Sequence, residues 1–294
     1  MILDELATVG KIQPPKFLLP NTHYLTMMGS VVYGASTDNS DKDVYGFCIP
    51  PKDMVFPHLA GEIQCFGNQK KRFDVWQQHH IEHKQTEWDF AVYSIVKYFQ
   101  LLMENNPNML DSISTPINAV IHMTQTAQHV RDNRRLFVHK GCYHKFRGYA
   151  MSQMAKIRSK TKPSNPKRAA SVEQHGYDVK YAMHLVRLLS ECEQLLETGE
   201  MNLSKESALY RKVRAGEWSL DYLESWFESK EKHLEELVNQ SSLPYGPNED
   251  VIKQLLLECL EAHYGSLDDA IKVEVPVEKL LSEIQSVIDR YKYG

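Results

Sequence analysis

The chain has 294 residues, of which 42% are hydrophobic and 24% charged, a balance typical of a folded globular protein with one large or two ordinary domains. No run approaches the roughly 18 apolar residues of a membrane span, and the polar residues 1–16 predict no secretory signal. The five cysteines are far apart and form no CxxC pair, which argues against disulfides and structural zinc and favours a reducing cytoplasm.

The net charge of −4 hides an uneven distribution. Residues 131–187, called the basic block below, hold 14 Lys and Arg against three acidic residues, a net charge of +11, so the rest of the chain carries −15. A localised positive charge in an acidic protein predicts a partner that bears phosphates. The alternative is an ordinary solvated helical surface.

The first part of the chain alternates between strand and turn patterns. Short apolar runs at residues 24–28, 44–49, 72–77 and 85–90 predict strands. Residues 31–35 could begin a helix. Residues 91–104 predict a helix whose apolar face is formed by Val92, Ile95, Val96, Phe99 and Met103.

After about residue 115 the pattern is almost entirely helical. Helices are predicted at residues 177–197, 219–240, 249–263 and 277–291, and a basic loop at 161–168. The expected fold class is α+β, with a mixed β-sheet and flanking helices in residues 1–115 and an α-helical module in residues 116–294.

Two short motifs point to phosphate and metal chemistry. Gly29-Ser30 follows an apolar strand, where a glycine lets the backbone approach a ligand and free N–H groups suit a phosphate chain. Asp41 and Asp43 begin the next strand, and their spacing of two places both carboxylates on one face. Two like charges this close repel unless a cation lies between them, and hard oxygen ligands suit Mg²⁺.

A two-metal site needs a further carboxylate. Asp89, between Trp88 and Phe90, is the favoured candidate, with Glu87 as its neighbouring competitor and Glu82 more remote. His79 and His80 should point opposite ways on a regular strand, so a zinc site at these histidines is not favoured.

The combination of these motifs resembles the DNA polymerase β nucleotidyltransferase superfamily. The string from Gly29 to Pro51 is similar to nucleotidyltransferases of the YcgL type, also called the RNA-repair-pathway DNA polymerase β family. The similarity extends over roughly residues 24–220, through the segments at 106–108, 146–150 and 180–189. One departure is Lys42, where the superfamily often has an apolar residue; side-chain alternation should point it away from the metals.

The resemblance implies the roles of the site residues. Asp41, Asp43 and Asp89 would be the catalytic carboxylates and the ligands of two Mg²⁺ ions, with Mn²⁺ as a substitute, and Gly29 and Ser30 would contact the phosphates of a nucleoside triphosphate. The enzyme would transfer a nucleotidyl group to a hydroxyl acceptor, with an RNA or tRNA end favoured by the basic block. A protein hydroxyl as acceptor, or a nucleotide- or RNA-binding regulator without turnover, remains the alternative.

A second group of candidates lies on one predicted helix. Lys180, His184 and Arg187 are spaced at i, i+4 and i+7 and so share a face, while apolar residues fill much of the rest. This basic stripe is expected to line the cleft and contact nucleotide phosphates. The alternative is a solvated stripe. The oligomeric state is not indicated.

Overall fold

The computed structural model describes residues 1–35, 41–63, 67, 72–159 and 166–266, with five further residues between 281 and 289. Its sheet consists of β1 (Thr22–Met28), β2 (Lys42–Cys48), β3 (Val75–His83), β4 (Thr86–Ser94) and β5 (Val120–Met123), in the order β3-β4-β2-β1-β5. Strands β2 and β4 are parallel and the other pairs are antiparallel, so the sheet is mixed.

Helices account for most of the remaining described chain. They are α1 (Ile2–Thr8), α2 (Lys52–Val55), α3 (Ile95–Met103), α4 (Pro107–Ser114), α5 (Gln125–Asp132), α6 (Gly141–Arg158), α7 (Pro166–His175), α8 (Val179–Thr198), α9 (Ser207–Arg214), α10 (Leu220–Gln240) and α11 (Glu249–Tyr264). The predicted α+β class is confirmed. Within the described residues, every helix is too short or too polar to cross a membrane.

The sheet is covered on both faces. Leu25, Val44 and Phe90 point to one side, where they pack with Leu3 and Leu6 of α1. Alternate residues of the same strands, including Tyr24 and Phe47, point to the other side and join the core of the helices. Because successive strand residues alternate, the face of each neighbouring side chain follows from this assignment. The predicted domain boundary at residue 115 stays a prediction.

The helix predicted from residue 91 begins four residues later, because β4 continues through Ser94. Val92 lies in the sheet, between β2 and β3. The Ser94 hydroxyl accepts a hydrogen bond from the Lys97 backbone N–H at 3.1 Å and so caps α3. Ile95 and Phe99 are buried on α3 as predicted, whereas Val96 is 41% exposed and Tyr98 and Leu102 complete the buried face, so the predicted apolar face was wrong in part.

The later helices agree closely with the predictions, as α8, α10 and α11 match the spans 177–197, 219–240 and 249–263. The predicted loop 161–168 is partly wrong, since Pro166 begins α7, and proline is favoured at the first position of a helix. Residues 161–165, most of the predicted helix 277–291 and Cys65 lie outside the described residues.

A histidine pair joins the sheet to the last described helix. His23 on β1 contacts the Thr124 hydroxyl at 2.8 Å through Nδ1 and His263 Nδ1 of α11 at 3.0 Å through Nε2. Burial, together with repulsion from His263 and His122, lowers the pKa of His23 to about 4. The imidazole is therefore neutral in the folded protein at neutral pH.

This pair predicts a loss of stability in mild acid. The unfolded chain takes up a proton at His23 near pH 6.5, whereas the folded chain does so only near pH 4. Unfolding is therefore favoured as the pH falls from about 6.5 to 4, by roughly 2–3 kcal/mol in total from this group. Urea unfolding of wild type and His23→Gln across this range measures it, and the variant should show the smaller decline. An equal decline in both proteins would contradict the prediction.

Candidate active site

Two of the predicted acids lie in one row across the sheet, next to the Gly-Ser turn. Met28 at the end of β1 is opposite Asp43 of β2, and Asp43 is opposite Asp89 of β4. Gly29 follows Met28 directly, so the Gly-Ser turn, the second acid of the Asp-x-Asp pair and the favoured third acid share one end of three adjacent strands. Residues 36–40, between the two halves of the motif, lie outside the described residues.

The acids face the helices. Asp43 alternates with Val44, which points to the α1 side, so its carboxylate lies on the opposite face with Phe47. Asp89 precedes Phe90 in the same way. The intervening Lys42 points to the other side, with its Nζ 4.9 Å from the centre of the Trp88 ring. Lys42 therefore points away from the acids, as side-chain alternation predicts.

Gly29 and Asp43 are in close contact. Gly29 has a φ of 74°, in the left-handed region, and a Cβ atom at this position would lie 2.4 Å from Asp43 Oδ2. No side chain fits in that space, and a non-glycine residue would also be strained there. The glycine therefore lets the backbone after β1 pass directly beside the carboxylate, as a site that grips a metal-bound phosphate chain requires.

The turn after β1 differs from the prediction in one respect. Residues Gly29–Val31 form a single 3-10 turn, and the helix expected from residue 31 is absent from the described segment 29–35. A helix dipole is therefore not available here, and phosphate binding would depend on the free backbone N–H groups and the Ser30 hydroxyl. The sequence misled because Val31-Val32-Tyr33 is apolar for tertiary reasons: Val32 and Tyr33 are buried in the helical core.

The three acids repel one another. Burial, then the charges of Asp89 and Asp41, raise the pKa of Asp43 to about 6, while Lys180 acts in the opposite direction. Asp41 is exposed at the start of β2 and Asp89 is 22% exposed. The described residues thus hold a group of carboxylates whose negative charges are only partly compensated.

This donor set fits a hard divalent cation. Mg²⁺ prefers oxygen ligands and is commonly held by one or two carboxylates together with substrate phosphates. A cation between Asp41, Asp43 and Asp89 would remove the repulsion that raises the pKa of Asp43. By their chemistry these carboxylates therefore fit the predicted magnesium site, in which Asp43 would be the central ligand, while in the described residues the oxygens of all three acids do not lie within 4.8 Å of one another.

The register separates the two candidates for the third acid. Asp89 is directly opposite Asp43. Glu87 lies two residues earlier on β4, opposite Glu82 of β3. The charge of Asp89 also acts on Asp43 and raises its pKa. The geometry therefore favours Asp89.

Two histidines lie beside Asp89, which sequence alternation did not predict. The β3–β4 register shifts between Gln78 and Ile81, and His80 has a φ of 57°. As a result the His80 backbone N–H donates to Asp89 Oδ1 at 2.7 Å, and His79 Nδ1 lies 3.6 Å from the same oxygen. The expectation that the two histidines point opposite ways was wrong, because a bulge interrupts the alternation.

Among the described residues, one group of metal-ligating side chains stands close together: His80, Glu87 and Asp89, whose ligand atoms lie within 4.8 Å of one another. His80 is 82% exposed and already paired with Glu87. This group extends from the acids toward solvent along β3 and β4. The two histidines are thus outer neighbours of the site, and the doubled histidine in an exposed strand is the signal that could have indicated the bulge.

The basic stripe on α8 divides between two environments. The charge of Lys180 acts on Asp43, so it lies within electrostatic reach of the acids. Burial, reinforced by the charges of Arg187, Lys180 and Arg214, lowers the pKa of His184 well below its usual value. His184 is therefore neutral at pH 7 and cannot supply the positive charge expected from the stripe.

Arg187 has a different environment from the one predicted. Its side chain is only 5% exposed, and its Nη1 donates to Asp111 Oδ2 and to both oxygens of Glu191. The guanidinium lies 4.3 Å from the centre of the Tyr33 ring, and the Tyr33 hydroxyl donates to Asp111 at 2.7 Å. This burial argues against the predicted phosphate contact, because Arg187 is enclosed by the helices behind the Gly-Ser turn.

Comparisons with known proteins give a family match that is independent of this geometry. A model of the RNA repair pathway DNA polymerase beta family matches residues 2–267. Among solved structures, the chain is similar to a nucleotidyltransferase-like protein from Exiguobacterium sibiricum, with 13% identity and a TM-score of 0.28, covering 83% of this chain and 75% of that one. No curated protein matches the chain. The family match spans all the predicted site residues.

The contact between Gly29 and Asp43 predicts a specific effect of a single methyl group. Gly29→Ala should weaken Mg²⁺-dependent nucleotide binding at least about tenfold, because the new Cβ displaces the Asp43 carboxylate from its place in the row. Calorimetric titration with Mg²⁺ and a non-hydrolysable nucleoside triphosphate measures this. Gly10→Ala is the matched control, since Gly10 has a φ of 71° but no atom within 4 Å of the added Cβ. Equal nucleotide affinity in both variants would contradict the prediction.

The position of Arg187 predicts a structural role. Arg187→Met should reduce the free energy of unfolding by about 3–5 kcal/mol, because Asp111 and Glu191 lose their buried counter-ion. Lys180→Met, on the same helix but only partly buried, should change it by less than about 1 kcal/mol. Urea unfolding measures both. A stable Arg187→Met protein that had lost nucleotide affinity would restore the phosphate-contact interpretation.

Proposed function

Because the chain belongs to the RNA repair pathway DNA polymerase beta family, we propose that it is a metal-dependent nucleotidyltransferase that transfers a nucleoside monophosphate from a nucleoside triphosphate to a hydroxyl acceptor. The favoured acceptor is an RNA end, such as that of a tRNA. The observation that carries the proposal is the row across the sheet in which Gly29, Asp43 and Asp89 meet.

Each side of the row suits one part of the substrate. The backbone at Gly29 lies directly against the Asp43 carboxylate, so the N–H groups of the turn and the Ser30 hydroxyl would contact a triphosphate held at the acids, and Lys180 provides a positive charge on the helical side. Asp41, Asp43 and Asp89 would hold Mg²⁺, which supplies charge that activates the acceptor hydroxyl and stabilises the pyrophosphate leaving group. The acceptor oxygen then bonds to the α-phosphorus as the bond to the β-phosphate oxygen breaks.

The acceptor contributes a hydroxyl group, and an RNA end is the favoured source of that group. An RNA end is supported by the description of the family and by the positive charge of the basic block. Protein hydroxyls and small molecules have the same reacting group. They are therefore tested as alternative acceptors beside RNA.

Removal of the acids should abolish transfer. Asp41→Asn/Asp43→Asn keeps side-chain size but removes two negative charges, so nucleotidyl transfer with Mg²⁺ should fall at least about 10²-fold. Each labelled nucleoside triphosphate is incubated with RNA, protein and small-molecule acceptors. Asp53→Asn, an exposed acid on α2, is the control and should retain wild-type activity. If wild type and the double variant give the same products everywhere, the proposed reaction is wrong.

The single variant Asp43→Asn separates metal binding from catalysis. Without metal, Asp43→Asn should be more stable than wild type by about 1–2 kcal/mol, because the raised pKa of Asp43 reflects a charge that the folded state disfavours. Mg²⁺ should raise the Tm of wild type more than that of Asp43→Asn. An identical Tm increase in both proteins would place the ion elsewhere.

A further inference from the structure

Several cations of the basic block are neutralised, within the described residues, by acids from other parts of the chain. Five ion pairs show this at N–O distances of 2.7–3.8 Å: Arg134 and Arg135 with Glu200, Lys145 with Glu104, Arg147 with Glu231 and Arg158 with Glu224. Arg187 is neutralised in the core. The net charge of the block therefore overstates the positive charge that the block presents to a ligand.

Two further cations of the block lie at the ring of Tyr181, next to Lys180. Arg168 of α7 lies 4.3 Å and Lys156 of α6 lies 5.2 Å from the centre of the Tyr181 ring. Arg214 of α9 belongs to the same place, since it acts electrostatically on both Arg168 and His184. We call Lys156, Arg168 and Arg214 the cationic cluster. Three helices thus bring like charges together next to Lys180, the residue whose charge acts on Asp43.

The cationic cluster has one nearby acid, and that acid is already committed. Asp178 accepts hydrogen bonds from the backbone N–H groups of Lys180 and Tyr181, so it caps α8, and it lies 3.5 Å from Arg168. Within the described chain, Arg214 has no ion pair, and its buried Nη1 has no hydrogen-bond partner. Asp178, which already pairs with Arg168, is the acid whose charge acts on Arg214, so an anionic ligand would compensate the remaining positive charge of the cluster.

An aromatic surface adjoins the cationic cluster. Trp218 follows Arg214 by four residues, and its carbonyl accepts a hydrogen bond from Tyr177, just before Asp178, at 2.7 Å. Trp218 packs edge-on against Tyr222 at 4.8 Å and lies 5.7 Å from Trp226. Tyr222 is 55% exposed. Cations that track phosphates beside aromatic rings that stack on bases are the features by which proteins bind single strands.

We propose that the cationic cluster is a phosphate-binding subsite for a single-stranded nucleic-acid acceptor, with Trp218 and Tyr222 stacking on its bases. The inference rests on the proposed function, because it identifies the acceptor of that reaction. The triphosphate of the nucleotide has the same phosphate chemistry, but it has no run of bases to occupy the aromatic surface. The subsite directs the end of the strand past Lys180 toward the acids.

The test is direct binding of a fluorescein-labelled RNA strand of about 12 nucleotides, followed by anisotropy across a potassium chloride series. Arg168→Gln/Arg214→Gln should bind roughly tenfold more weakly, and the slope of log affinity against log salt should fall by about 1.4, or 0.7 for each lost phosphate contact. Lys145→Gln/Arg158→Gln is the matched control, since it removes two cations of the same block that are paired with acids. It should bind within about twofold of wild type.

Further measurements separate the alternatives. Binding of Mg²⁺ with a non-hydrolysable nucleoside triphosphate should be unchanged in Arg168→Gln/Arg214→Gln; a loss confined to the nucleotide would assign the cluster to the triphosphate and overturn the inference. Unchanged RNA affinity of Arg168→Gln/Arg214→Gln would also overturn it. So would an RNA duplex that binds as tightly as the single strand and loses as much affinity in this variant. Arg214→Lys keeps the charge and should retain most of the affinity. A loss equal to that of Arg214→Gln at an unchanged Tm would contradict phosphate binding.

The outcome is independent of catalysis. All RNA titrations are repeated in the Asp41→Asn/Asp43→Asn background, in which no transfer is expected. RNA binding that depends on the cationic cluster, together with no transfer by wild type, would sustain the subsite and reject the proposed reaction. Transfer to RNA by wild type, together with RNA affinity that is unchanged in Arg168→Gln/Arg214→Gln, would support the proposed reaction and reject the subsite.

Discussion

The arrangement of this protein depends on the ion pairs of the buried Arg187 guanidinium. A cation removed from water must be paired, and its partners come from separate elements: Asp111 from α4, Glu191 from α8 and Tyr33 from the turn after β1. The same contact therefore holds the helices together and holds the Gly-Ser turn against them. Tyr33 lies three residues after Ser30, so this contact also helps to fix the path of the chain where Gly29 passes Asp43.

At the acids, in contrast to Arg187, the fold places like charges next to one another. The sheet brings Asp43 and Asp89 into direct register and leaves Asp41 nearby, so the folded chain bears a repulsion that its own residues only partly relieve. Rigid strands make this arrangement permanent. A divalent cation with bound phosphates is the ligand that best compensates it, which links the instability of the metal-free site to the proposed reaction.

The positive charge of the chain acquires meaning only after folding. In the sequence, the basic block is a single feature of residues 131–187. In the structure it divides into cations paired with distant acids and a smaller group around Tyr181, to which Arg214 is added from outside the block. The pairing partners are up to 84 residues away along the chain, so local charge density could not distinguish the two groups.

The sequence by itself determined the α+β class, the helices after residue 115 and the two motifs at Gly29-Ser30 and Asp41-x-Asp43, because backbone geometry over a few residues decides them. Tertiary structure alone decided which acid faces Asp43, where β4 ends and α3 begins, and that Arg187 is buried. Strand register, the bulge at His79-His80 and the pairing of a buried charge all join residues distant in sequence, and their free energies depend on contacts that no local pattern contains.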